Sequence, residues 1–313
     1  MIGGSTMNKH IGLLILLVAG NISAGLNQDL SQKMLSLNQV FKNAKQLNDS
    51  ITQKLIQLVK DEGYFGNEEK LVRTLKQLLA QGANPDALYD DTPILVHLAW
   101  SADALNVLLE YNAEIQGNAG RDALMRACAD EHFDSAKNLL EQGVDSNITD
   151  IDGYTTALLA CISDYQMVKL LLEYGADPKL PGNLPVYISC GLSVDGVLYD
   201  NEQEFMMASI IGADPQVLEI LLQYGANPNA FNVTNIHSLT PLMGAVNQAS
   251  FWAMQDPEGM GYDFAAMSLE KVKILLKCGA DYRIKDTSGR NALHKDFTRG
   301  NQEIINLILE HSK

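Results

Sequence analysis

The sequence predicts an all-α fold made by stacking one short helical unit along the chain. Two observations predict it. The phrase Leu78-Leu79-Ala80-Gln81-Gly82-Ala83-Asn84-Pro85 returns at residues 108–114, 139–145, 171–178, 221–228 and 275–281, with a truncated copy at 308–311. The first residues of these copies are separated by 30, 31, 32, 50, 54 and 33 residues, so the unit is about 33 residues long and two units carry extra chain. Self-similarity at that period specifies an open stack whose units contact only their neighbours, with no single enclosed core.

Each phrase reads as the end of a helix. In residues 166–175 the apolar positions recur at helical spacing and Gly175 stands just past the last of them. Glycine adopts the left-handed conformation that closes a helix, and Ala176-Asp177-Pro178 then begins a turn. The upstream half of each unit reads as a second helix. Thr92-Pro93-Ile94-Leu95 and Thr240-Pro241-Leu242-Met243 open two of these, a threonine suited to capping free amides and a proline suited to the first helical turn. Asn291-Ala292-Leu293-His294 opens the last, and His294 is expected to hold its turn by a local hydrogen bond.

Turn, Thr-Pro-Leu-His-like helix start, second helix and Leu-Leu-x-x-Gly-Ala-Asp-Pro together resemble the ankyrin repeat over roughly residues 63–313. Residues 143–155 keep the family's spacing, with Asp150 and Gly153 at the hairpin positions. Residues 279–291 keep it with Asp286 and Gly289. The chain departs from the pattern at His97 and Asp296, where the family has a small alanine. The resemblance implies an ankyrin-repeat solenoid of about six to seven units with two insertions. Each unit would be a hairpin finger plus two antiparallel helices. The fingers and first helices would line a concave face that binds other proteins.

The front of the chain is different. Met7-Asn8-Lys9-His10 precedes the apolar run of residues 11–19, followed by Gly20, Ser23, Ala24 and Gly25. A weakly basic start, a short apolar run and small residues read as a secretory signal peptide over 1–24, with Met7 a candidate start. Asn21 stands where a lipidation site requires cysteine, so no lipid anchor is expected. Residues 25–62 read as an N-terminal helical cap. Leu30, Met34, Leu37 and Phe41 share one helical face, as do Ile51, Leu55, Leu58 and Val59. Helices here are expected to cover the open end of the stack. Residues 63–313 form the ankyrin-repeat domain.

Composition narrows the function. The 313 residues carry a formal net charge of −15, which disfavours nucleic acid and suits solubility or a basic partner. Cys128 and Cys161 hold the same slot in consecutive units, and Cys190 follows Ser189 in a similar one. Neighbouring units stack at roughly 10 Å, beyond the ~7 Å limit between the α-carbons of a disulfide, so packed free thiols are expected. No cysteine and histidine cluster suits zinc. The Asp150-Ile151-Asp152-Gly153 run lacks the carboxylates of a calcium loop. No phosphate cradle, nucleophile elbow or metalloprotease helix is present. No catalytic site, metal or cofactor is expected.

Candidate contacts are aromatic. Tyr89, Ile151, Phe231, Ile236 and Tyr282 fall at finger tips. In the sixth unit Phe251, Trp252, Met254, Tyr262 and Phe264 stand in a stretch interrupted by Pro257, Gly259 and Gly261. That stretch is expected to be a surface loop, either a binding hot spot or a loop folded onto the stack. The fifth unit has two registers, with its first helix at 184–191 or at 204–212. In the first register both insertions share one edge and add Tyr199 and Phe205 to Phe251, Trp252, Tyr262 and Phe264. An ankyrin array behind a signal peptide looks like bacterial envelope proteins of this family. It implies a monomeric periplasmic or secreted scaffold, or an inhibitor of an exported protein. A secreted effector that binds host proteins is the main alternative, and an enzyme with a docking array the remote one.

Overall fold

A computed structural model describes residues 28–62, 67–149, 157–180, 214–230, 239–255 and 264–311. Helix α1, Gln28–Glu62, leads into α2, Glu68–Ala80. A two-residue hairpin pairs β1, Leu88–Tyr89, with β2, Thr92–Pro93, in antiparallel register. Short inner helices then alternate with outer ones. They are α3 Ile94–His97 with α4 Ala102–Glu110, α5 Asn118–Ala129 with α6 Phe133–Glu141, and α7 Ala157–Ala160 with α8 Tyr165–Glu173. The outer helix α9, Pro215–Gln223, belongs to the fifth unit. The pair α10 Pro241–Gln255 and α11 Phe264–Lys277, and the pair α12 Lys295–Thr298 and α13 Gln302–Glu310, complete the array.

The seven outer helices α2, α4, α6, α8, α9, α11 and α13 are the seven repeated phrases. Each packs on the next without a break, including α8 on α9 and α9 on α11 across the two long units. The leucine pairs provide the contact: Leu79, Leu108, Leu139, Leu171, Leu221, Leu275 and Ile308 are all buried. A single apolar core therefore runs the length of the stack, as the hydrophobic effect requires of units that each have two apolar faces.

The outer helices begin and end by the same devices. Asn67, Ser101, Asp164, Asp214 and Asn301 each accept a hydrogen bond from a first-turn amide, satisfying donors that have no helical partner. At the other end the amides of Ala83, Ala113, Val144, Ala176, Ala226 and Ala280 donate to the carbonyls of Leu78, Leu108, Leu139, Leu171, Leu221 and Leu275 over 2.9–3.1 Å. This six-residue closure needs a left-handed residue between. Gly82, Gly143, Gly175, Gly225 and Gly279 supply it with φ of 86–100°, and Asn112 supplies it at 60°.

The fingers are laced to one another. Asp86 accepts from the Glu114 amide at 2.6 Å. Asn147 accepts from the Asp177 amide at 2.7 Å and donates to the Gly175 carbonyl at 3.0 Å. Asn229 repeats both contacts with Asp281 and Gly279, at 2.7 and 2.9 Å. In these three fingers one polar position therefore fixes the next. In the first hairpin Asp90 and Asp91 both have positive φ, the turn whose twist matches the strands it joins. In the last finger the buried Asp286 accepts from the Arg290 amide and guanidinium, both at 2.7 Å, which confirms the hairpin read at Asp286 and Gly289.

Two expectations change. The front segment is one 35-residue helix where separate helices were anticipated. Its second half, through Ile51, Leu55 and Val59, packs on α2 as an inner helix does. The hairpin positions Asp150 and Gly153 lie outside the described residues. Cys128, Cys161 and Cys278 are free, the first two buried and the third exposed, and Cys190 lies outside the described residues. The Cys161 thiol donates to the Ala157 carbonyl at 3.3 Å. The Cys128 thiol, and burial after it, hold the Cys161 thiol well above the ordinary thiol range.

Two outcomes test this frame. Gly143 has open space around its α-carbon, so in Gly143→Ala only the left-handed backbone is strained. Chemical denaturation should show a loss of about 1 kcal/mol. The folded Cys161 thiol keeps its proton to higher pH than the unfolded one. Its contribution is therefore complete below about pH 8.5 and is lost as pH rises past that value. The fall in melting temperature above that pH should be shallower in Cys161→Ala than in the parent.

Candidate partner-binding surface

The aromatic residues of the sixth unit come together, but as packed structure. Helix α10 continues through Phe251 and Trp252 to Gln255, so these two rings sit on a helix where a loop was anticipated. Trp252 is only 9% exposed and stacks on Phe264, the first residue of α11, with ring centroids 4.9 Å apart. Phe251 meets Trp252 edge-on at 5.3 Å, and the Arg299 guanidinium lies 5.5 Å over the Phe251 ring. The three rings close the α10–α11 pair, and Met254, 66% exposed, projects from this helix end. Tyr262 lies outside the described residues, as do Tyr199, Phe205, Phe231, Ile151 and Ile236. Both alternative positions for the first helix of the fifth unit also lie there.

At the fingers Tyr89 is half-buried. Its carbonyl meets His97 Nε2 at 2.9 Å and its ring lies 4.9 Å from the imidazole, so the departure at His97 ties α3 to the hairpin. Tyr282 is half-buried against the core. His294 Nδ1 accepts from the Asp296 amide at 3.3 Å, the local bond expected of it.

A different surface assembles on the opposite edge of the stack, where inner helices turn into outer ones. Glu68, Trp100, Asp103, Glu131, Phe133 and Asp134 line an open cleft of about 390 Å³ across three consecutive units. Local structure puts each side chain there. Glu68 opens α2, where a carboxylate suits the positive end of the helix dipole. Its Oε1 accepts from the Ser101 hydroxyl at 2.6 Å, and that hydroxyl in turn accepts from the Ala104 amide at 3.1 Å. Trp100 directly precedes this cap, and its indole nitrogen is buried with no acceptor among the described residues. Glu131 takes a left-handed conformation, φ 60°, while the His132 amide donates to the Ala127 carbonyl at 2.8 Å to close α5. The chain then re-enters α6 with Phe133, 37% exposed, at its first position.

The cleft therefore presents four carboxylates, the Trp100 and Phe133 rings and the His132 imidazole, and no lysine or arginine lines it. Such a surface attracts a cation and gives its aliphatic stem or a neighbouring apolar side chain a ring to pack on. Sequence reading missed it because each residue looks like an ordinary helix-start residue. Only the stacking of three units brings them to one place. Among the described residues no group of three histidines, cysteines or acids is placed to hold a metal ion, and no helix is long and apolar enough to cross a membrane.

Comparison with known proteins agrees with this architecture. The family model for ankyrin repeats matches residues 65–150 and 96–182. An ankyrin repeat protein of Fowlpox virus (strain NVSL) is 26% identical over 195 residues, 60% of this chain and 47% of the viral one. An ankyrin repeat protein of Acanthamoeba polyphaga mimivirus is 30% identical over 112 residues, 34% of this chain and 15% of that one. The chain thus spans less than half the length of either of these curated relatives. The crystal structure of the human ASB11 ankyrin repeat domain superposes with a TM-score of 0.52 at 17% identity. The match covers 83% of this chain and 96% of that one, and at such identity it speaks to the fold alone. The fold is an ankyrin-repeat solenoid. Residues 65–182 of this chain match the family model for ankyrin repeats.

Because Trp252 is buried between Phe251 and Phe264, its removal leaves a cavity at the α10–α11 junction. Trp252→Ala should lower stability by about 3 kcal/mol in denaturant titration.

Proposed function

We propose that this protein is exported and works by capturing a basic segment of another exported protein, as a periplasmic scaffold or inhibitor. The observation that carries the binding part is the cleft at Trp100 and Phe133, with Asp103, Glu131 and Asp134 on its walls. The laced fingers and continuous leucine core make a preordered surface, so a partner docks with little ordering cost to the protein. The excess of 38 acidic over 23 basic residues adds long-range steering toward a positive partner. Support for export is the basic start, apolar run and small residues of positions 7–25.

Affinity capture from envelope extract with the parent protein and with the pair Asp103→Arg and Asp134→Arg tests the binding. The parent should retain a basic partner, with retention falling as salt rises. The charge-reversed protein should lose it while remaining folded, with its melting temperature lowered only by the few degrees that two unfavourable charges at helix starts cost. Equal capture by both proteins overturns the assignment to this cleft. Cell fractionation tests the export separately. A periplasmic pool shortened at the N-terminus supports it, and a full-length cytosolic pool refutes it.

A further inference from the structure

The cleft at Trp100 and Phe133 holds donors as well as carboxylates. At α2, α4, α8, α9 and α13 the side chain of the residue before the helix accepts from a first-turn amide. Helix α6 opens on the cleft without such a bond, because His132 stands at its cap position and the imidazole does not cap it. Trp100 lines the same cleft, and its Nε1 is buried and donates to nothing among the described residues. A donor hidden from water without an acceptor is a standing cost, which an incoming acceptor removes. Four carboxylates surround these donors and repel an acceptor that is itself negative. Donors for a neutral acceptor, set among acids that attract cations, fit a peptide main chain that carries basic side chains. A polyamine has the cations and no acceptor. A phosphate or carboxylate ligand has the acceptors and the wrong charge.

The acids are also evenly placed. Glu68, Asp103 and Asp134 stand in the first turns of α2, α4 and α6, three outer helices that pack one on the next. Helices in such contact lie roughly 10 Å apart, so the edge offers one first-turn carboxylate about every 10 Å. A polyproline II segment has about three residues per turn and rises about 3.1 Å per residue, so every third side chain returns to one face after about 9 Å. A β-strand returns to one face at every second residue, after about 7 Å, and its third side chain points away. An α-helix takes about seven residues to advance 10 Å, and it spends its carbonyls on its own hydrogen bonds. Of the three, the polyproline II form matches the interval and leaves its carbonyls free for the cleft donors.

Resting on the reading of this edge as the partner site, we propose that it takes an extended segment in polyproline II form, with lysine or arginine at every third position. The cations meet Glu68, Asp103 and Asp134 in turn. Carbonyls between them accept from the Trp100 indole and from the first amides of α6. The intervening side chains lie on the Trp100 and Phe133 rings. Glu68 is already held for this contact, since its Oε1 accepts from the Ser101 hydroxyl at 2.6 Å.

Fluorescence anisotropy of three labelled peptides of one composition, titrated with the full chain, tests the spacing. The first is acetyl-Arg-Pro-Ala-Arg-Pro-Ala-Arg-amide. The others hold the same residues with the arginines at alternate positions or side by side. The first should bind about ten-fold tighter than either of the others. The pair Asp103→Arg and Asp134→Arg should abolish its binding in a protein that is still folded by circular dichroism. In proton–nitrogen spectra the Trp100 indole signal, assigned by its loss in Trp100→Phe, should move downfield with this peptide and stay in place with spermidine. Equal binding of the three peptides, all abolished by the charge reversal, overturns the spacing and leaves the acidic edge standing as a partner site. Spermidine binding as tight as that of the first peptide has the same meaning, and so does an indole signal unmoved by that peptide when bound. Peptide binding that survives the charge reversal, or no binding by any of the three, overturns the spacing and the partner site together.

Discussion

The burial of one leucine-rich face between each outer helix and the next is what the rest of the structure depends on. No unit has enough apolar surface to fold by itself, and each has two faces to hide. Stacking satisfies both, so stability is a chain of nearest-neighbour contacts running from α2 to α13. That chain works only if each unit leaves its outer helix in the same direction. The left-handed residue after each leucine pair sets that direction. The amide two positions beyond the cap then reaches back to the first leucine's carbonyl in six consecutive copies. Asn112, in place of glycine, keeps the same closure, which shows that the turn rather than the residue type is the constraint.

The outer helices were legible in the sequence because their signals are local and redundant: a capping side chain, an apolar stripe and a glycine stop, repeated seven times. The finger register at Asp286 and Gly289 was legible for the same reason, since both are set by hairpin turn geometry. The front segment was read as separate helices, with apolar faces at Leu30–Phe41 and Ile51–Val59 and residues 42–50 between them. No glycine or proline stands there, and the apolar positions on either side keep one phase, so the helix continues. At Phe251 and Trp252 the nearby Pro257, Gly259 and Gly261 suggested a loop too early. The rings are satisfied by each other and by Phe264, and that packing holds the helix through Gln255.

The acidic cleft was not legible, for a reason general to solenoids. Glu68, Asp103 and Asp134 each sit in the first turn of an outer helix, where an acid is favoured by the helix dipole in any protein. A local preference repeated at the unit period becomes a surface feature when the units stack. The aromatic residues near the same turns, Trp100 and Phe133, then convert a charged edge into a cleft with an apolar floor. The same logic explains the finger lacing. A single polar position, filled by Asp86, Asn147 and Asn229, acquires its role only beside the next finger.

The two ends of the array solve their exposed faces differently. At the C-terminal end, Asp286 is fully covered and binds Arg290, whose guanidinium also reaches Asp296 at 3.2 Å and lies 5.1 Å over the Phe297 ring. That network ties finger, inner helix and core into one closed unit, and α13 turns its polar side outward. At the N-terminal end the covering helix is longer than the face it covers by some twenty residues, and the excess keeps the apolar pattern of the covered part. A cap needs no more length than the stack it hides. On the outward face of α13, Gln302, Glu303, Asn306 and Glu310 are exposed beside the single Leu309. The persistence of leucine, valine and phenylalanine beyond that boundary leaves an apolar helical face outside the stack, set apart from the acidic edge.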